Sequence, residues 1–418
     1  MRNALILILL LSFKFSNAQN NTYLADLSTL KAILEKTPSF KAQIKGEKLT
    51  YYTSLYNRLA SDSSNIQNSY MYFYNLSQLL FPLRDNHLGF YQLPDYDNFK
   101  TKESIDRFTE STKFLEYPSS PINIDSLRTE LSGKSIDSIE GIYYYDKYYS
   151  VGLFKSAKKE YTGVVLDSDT KLWFKGQTAI HLYQYGSNLY KAIYGHPLYK
   201  SYILQTIEKY QHHSLINSYF HTSYCHCNYS KHRQRPESTT IPQALARFGL
   251  KNINSDVQYL LLRTFQADAA TMKESQSFYD DIKASLRAPY LVLDLRNNEG
   301  GAQKEMKKYF SLLKRYVHHG HLYILINNGT MSQAEIFTLK LRKLSNVTTV
   351  GQTTRGMLTY GSNYGKREKL PSGNFEIYPT DMNGGTKLLK YEDHGIKPDI
   401  LTDDANWMEK INEIIRKK

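Results

Sequence analysis

Cysteine is nearly absent: Cys225 and Cys227 are the only two in 418 residues. They are spaced C-x-C, with His212, His213, His221, His226 and His232 nearby, a spacing that matches no zinc pattern of paired C-x-x-C or H-x-x-x-H ligands. No metal site is therefore expected there. A polar loop with two free or locally paired thiols is expected instead, and a bridge between such neighbours closes almost no loop and adds little stability. Long apolar runs are also missing. Ala4 to Leu11 spans about eight residues against the ~20 needed to cross a bilayer, and no later stretch reaches that length, so no stable membrane insertion is expected. Nor is there an Arg/Lys-rich recognition helix. The net charge of +13 is scattered among acidic residues, and nucleic acid is not an expected partner. No internal repeat or low-complexity segment interrupts the chain.

What is present is globular: 41% hydrophobic and 22% charged residues, with 36 tyrosines. The length suggests two or three domains. Arg2, the apolar run after it and the small-residue site Ser16-Asn17-Ala18 read as a signal peptide over 1–18. An exported protein, periplasmic or secreted, with its mature start near Gln19 is expected; its net charge is then +11, because Arg2 and Lys14 leave.

Hydrophobic periodicity divides the remainder. Residues 19–118 carry apolar positions at helical spacing, as in Leu24 to Leu34, and predict a helical domain. From 119 to 210 the period is two. Gly141 to Phe154 reads as two strands joined by Asp146-Lys147, and further strands follow at short intervals, giving a β-rich module. Residues 211–242 are polar and aperiodic, a connecting loop. Residues 243–418 alternate strand and helix, which predicts an α/β domain with a mainly parallel sheet. Ligand chemistry then belongs at the carboxyl ends of its strands. The strands Tyr290–Asp294 and Leu322–Ile326 lead into Asn297–Gly301 and Asn327–Ser332.

Read locally, Ser332-Gln-Ala-Glu335 is a capping box at a helix start. The glycine pair in Asp294-Leu-Arg-Asn-Asn-Glu-Gly-Gly301 changes its meaning. Glycine lets the backbone approach a ligand, and amides at a helix start lack intrahelical acceptors. A hydroxyl beside two such amides is the arrangement that stabilises a tetrahedral oxyanion.

Five ordered segments, Asp294 to Gly301, Asn327 to Glu335, Gly351-Gln-Thr-Thr-Arg-Gly356, Leu370-Pro-Ser-Gly373 and Tyr391 to Asp399, resemble the S41 serine peptidases over roughly 245–402. The family includes carboxy-terminal processing proteases, the tricorn core and retinoid-binding modules. The resemblance implies a crotonase-like (ClpP-like) α/β fold, Ser332 as nucleophile, and an oxyanion hole from Gly300, Gly301 and the N–H of Gln333. Processing proteases use a lysine base in a G-x-x-T-x-G-K run, where this chain has Met357. The tricorn-like branch uses a histidine and a distant carboxylate, which His87 and Glu392 match; Asp393 and His394 are weaker candidates. That branch has a serine before the histidine, where this chain has Asn86. The family's PDZ domain has no clear counterpart in 119–205. The expectation is an exported serine endopeptidase acting on peptides or proteins. The alternative is an S41-like protein that binds a peptide or apolar ligand without cleaving it.

Overall fold

A computed structural model describes residues 21–62, 70–220, 222–225, 227–233, 246–362, 365–402 and 407–416. The signal-peptide segment 1–18 lies outside the described residues. The chain divides into two compact units, Met1–Arg235 with Ser362–Met382, and Pro236–Gly361 with Asn383–Lys418.

In the first unit, helices begin where the sequence supplies a cap. Thr37 accepts from Phe40 N just before helix Pro38–Gln43, which has Pro at its start. Thr101 and Ser104 cap each other's ends at Lys102–Thr109. Nine strands form one antiparallel sheet. Its order is Glu368–Lys369, Phe375–Tyr378, Gly89–Gln92, Tyr202–Glu208, Leu189–Gly195, Thr178–Gly186, Glu160–Ser168, Tyr149–Ala157 and Gly141–Tyr145. Gly141–Tyr145 alternates buried and half-buried residues, as its period of two requires. Its hairpin partner starts at Tyr149, and the turn has Asp146 at φ 51°.

The helical segment and the β-rich segment share one hydrophobic core, in which Leu27, Leu34, Phe73, Trp173 and Ile193 take part. Residues 211–242 are not purely connecting, because Leu215, Phe220, Cys227 and Tyr229 belong to the same core. Ser362–Met382, read in sequence as part of 243–418, also belongs here. Phe375–Tyr378 pairs with Gly89–Gln92, and Phe375 and Ile377 are fully buried. Cys225 and Cys227 are bonded to each other.

The second unit is α/β, as the alternation predicts. Its six-stranded sheet runs Phe248–Asn252, Val257–Leu262, Tyr290–Asp294, His321–Ile326, Val347–Gly351, Ile400–Leu401. Only the first pair is antiparallel. The central strands are apolar because both faces are covered. On one side lie helices such as Gln303–Tyr316, whose Met306, Tyr309, Leu313 and Tyr316 point into the core at helical spacing. On the other, Ile411 of helix Trp407–Arg416 packs with Val292, Tyr323 and Val350. Among the described residues no helix is long and apolar enough to cross a membrane.

Candidate active site

Loops leave the carboxyl ends of three adjacent parallel strands, Tyr290–Asp294, His321–Ile326 and Val347–Gly351, and polar side chains hold them together. Asn327 Nδ2 donates to Asn297 Oδ1 at 2.8 Å, and Asn297 N donates back to Asn327 Oδ1 at 3.0 Å. The Thr330 hydroxyl donates to Leu295 O at 2.8 Å. Gly329 is confined here, since a Cβ on it would lie 2.3 Å from Asn297 Oδ1.

Ser332 follows, half-buried, at φ 56° and ψ −123°. An ordinary N-cap residue occupies the β region. A non-glycine residue in this conformation carries about 1–3 kcal/mol of strain and persists only where its surroundings impose it. Ser332 N donates to Met357 O at 2.9 Å and to Glu335 Oε2 at 3.1 Å. The local capping pattern is thus present in its Glu335 half, while the backbone is that of a sharp strand-to-helix turn. Such a turn presents a nucleophile at the top of an α/β sheet.

Gly300, at φ 88°, lies against it: a Cβ there would meet Gln333 N at 2.7 Å and Ser332 Cβ at 2.9 Å. Gly301, at φ 132°, runs along Phe265, whose carbonyl oxygen a Cβ would meet at 2.1 Å. One expectation needs correction. The Gly300 N–H is committed, donating to Asn298 Oδ1 at 2.9 Å. The N–H groups of Gly301 and Gln333 donate to no described residue. Asn298 escaped the sequence reading. It is fully buried, its side-chain Nδ2 donates to Leu262 O, and its backbone carbonyl accepts from Met331 N.

Glu392 is fully buried, and its Oε2 accepts from Leu358 N at 3.1 Å and Thr359 N at 2.9 Å. It is no surface carboxylate. Asp393 is buried at φ 69°, its N–H donating to Gly356 O, and His394 is exposed. Met357 is half-buried and meets Ser332 through its carbonyl.

Asn86 and His87 belong to the first unit. Asn86 is buried and His87 half-buried, and His87 N donates to Asp85 Oδ1 at 3.3 Å. Asp85 is fully buried and also accepts from Thr380 Oγ1 at 2.6 Å; burial raises its pKa to about 6. The structure brings Ser332, Gly300 and Gln333 into direct contact within the second unit. The described residues contain no group of three or more His, Cys, Asp or Glu placed to hold a metal.

Residues 302–402 match the model of peptidase family S41. The S41 span includes Ser332, Gln333, Met357 and Glu392, and leaves Asn86, His87, Gly300 and Gly301 outside. No curated protein matches the chain. Several solved structures are similar to it. Mature CPAF is 10% identical, with 95% of this chain and 97% of that one covered at TM-score 0.43. The photosystem II D1 C-terminal processing protease is 13% identical, covering 92% and 94% at TM-score 0.38. A lipoprotein from Streptococcus agalactiae is 19% identical, covering 41% and 70% at TM-score 0.31.

Proposed function

We propose that this protein is an exported serine endopeptidase acting through an acyl-enzyme on Ser332. The observation that carries the reading is the strained Ser332 turn packed against Gly300, with the Gly301 and Gln333 amides uncommitted. In this mechanism Ser332 Oγ attacks the peptide carbonyl carbon and its proton passes to His87. The carbonyl electron pair becomes an oxyanion held by the Gly301 and Gln333 N–H groups. Collapse breaks the C–N bond, and His87 returns the proton to the leaving amine. Water, deprotonated by the same imidazole, then hydrolyses the ester. Glu392 is assigned to orient the imidazole and balance its charge, directly or through Asn86. These steps need no metal or organic cofactor. The roles of His87, Asn86 and Glu392 rest on the sequence resemblance; the buried, amide-bonded state of Glu392 agrees with a fixed carboxylate.

A fluorophosphonate probe tests this reading. Labelling at Ser332 is expected, abolished in Ser332→Ala and reduced by about 10³-fold or more in His87→Ala. Folded protein that resists the probe would instead support ligand binding without cleavage on the same fold.

A further inference from the structure

Glu335 lies one helical turn past Ser332 and is fully buried, yet its carboxylate faces four donors. Oε1 accepts from Thr354 Oγ1 at 2.5 Å and Gly356 N at 2.9 Å, and Oε2 from Met357 N at 2.9 Å and Ser332 N at 3.1 Å. One donor belongs to the nucleophile's own backbone; the other three belong to 354–357, a loop that follows a different strand. A helix cap needs only the first of these.

The loop continues the connection. Thr354 is fully buried, and its hydroxyl, while donating to Glu335, accepts from Ile396 N at 2.7 Å. Thr354 N donates to Ile396 O, and Asp393 N to Gly356 O. Two residues on, Leu358 and Thr359 present the amides that hold Glu392. Gly395 allows the close approach, since a Cβ on it would stand 2.0 Å from Thr354 O. Hydrogen bonds at either end of the continuous 354–359 backbone thus link Ser332 and Glu335 to Glu392, all within one unit.

We propose that Glu335 is a positioning residue for the reaction: its carboxylate holds Ser332 in the strained turn and fixes, through Thr354 and the 354–359 loop, where the Glu392 carboxylate stands. This assignment rests on the reading of Ser332 as nucleophile. Burial raises the Glu335 pKa while the four hydrogen bonds oppose the rise. A glutamine does not fully substitute, because in either orientation its NH₂ would face at least one backbone N–H, which cannot accept.

The test uses the full chain and a fluorophosphonate probe, with kinact and KI measured separately for wild type, Glu335→Gln and Thr354→Val. Amide hydrogen exchange is followed over 331–336 and 354–359. A nucleophile displaced by about 1 Å loses about 10²-fold in rate, so Glu335→Gln is expected to lower kinact by about that factor with KI little changed. Thr354→Val is expected to lower kinact by about tenfold on the same ground. Both variants should exchange faster in both segments, while helix Gln303–Tyr316 keeps its protection. Values of kinact within twofold of wild type in both variants, or unchanged exchange, overturn the assignment. If Glu335→Gln does not fold, Thr354→Val decides. If wild type itself is not labelled, the nucleophile reading fails, and the exchange measurement still determines whether Glu335 tethers the turn.

Discussion

Asp85, two residues before His87, has an acidity set by burial. Its carboxyl is raised to about 6, with hydrogen bonds from Ser39, Thr380 and the His87 N–H and the charge of Lys191 acting in opposition. The sign follows from proton counting. Between about pH 4 and pH 6 the folded protein keeps a proton that the unfolded chain has released. The stabilisation is complete below about pH 4 and is lost as pH rises to about 6, on the order of 2–3 kcal/mol. Denaturant unfolding of Asp85→Asn at pH 4.5 and 7.5 is expected to show a smaller difference between the two pH values than wild type. An unchanged difference would assign the pH dependence to other groups. Ser332 was legible at this scale because an apolar strand running into a helical pattern can be read from neighbouring residues. Thr354 was not. Its partners Glu335 and Ile396 lie 19 and 42 residues away, and only the fold brings them together.

Turns rather than helices or strands carry the candidate site, and their glycines are not equivalent. A methyl group on Gly301 would collide with the Phe265 carbonyl and force the turn to move, taking the Gly301 N–H with it. Gly301→Ala is expected to slow fluorophosphonate labelling by about 10²-fold, the cost of one oxyanion donor. Gly249→Ala, where the nearest atom would be Leu261 Cβ at 3.9 Å, should label at the wild-type rate. Equal rates in the two variants would remove Gly301 from the oxyanion site. The regular elements themselves were well marked in sequence. Strand Tyr290–Asp294 falls where the apolar pattern places it, because it buries a continuous run. The glycine amides could not be told apart. Which one Asn298 engages depends on the rotation of the turn, and sequence does not encode that locally.

Across the whole molecule, 53 basic residues against 40 acidic ones leave a net charge of +13. Such a field draws anionic partners from a distance, and salt screens it as the Debye length falls from about 10 Å at 0.1 M to about 3 Å at 1 M. With a peptide substrate in hand, kcat/KM for an acidic peptide is expected to fall several-fold over that range, whereas a neutral peptide of equal length changes little. Parallel salt dependence for both would show that the charge does not steer substrate. The helix-then-strand-then-alternation order was readable at this scale, but the return of Ser362–Met382 to the first unit was not. Period and composition describe a strand without naming its neighbour, and Gly89–Gln92 pairs with residues near the other end of the chain. That pairing constrains the order of assembly. About 280 residues separate Gln92 from Phe375, and at ~5–20 residues per second roughly 15 to 60 seconds pass between their emergence. From the synthesis of Tyr202–Glu208 until that of Phe375–Tyr378, one edge of Gly89–Gln92 has no partner strand to pair with.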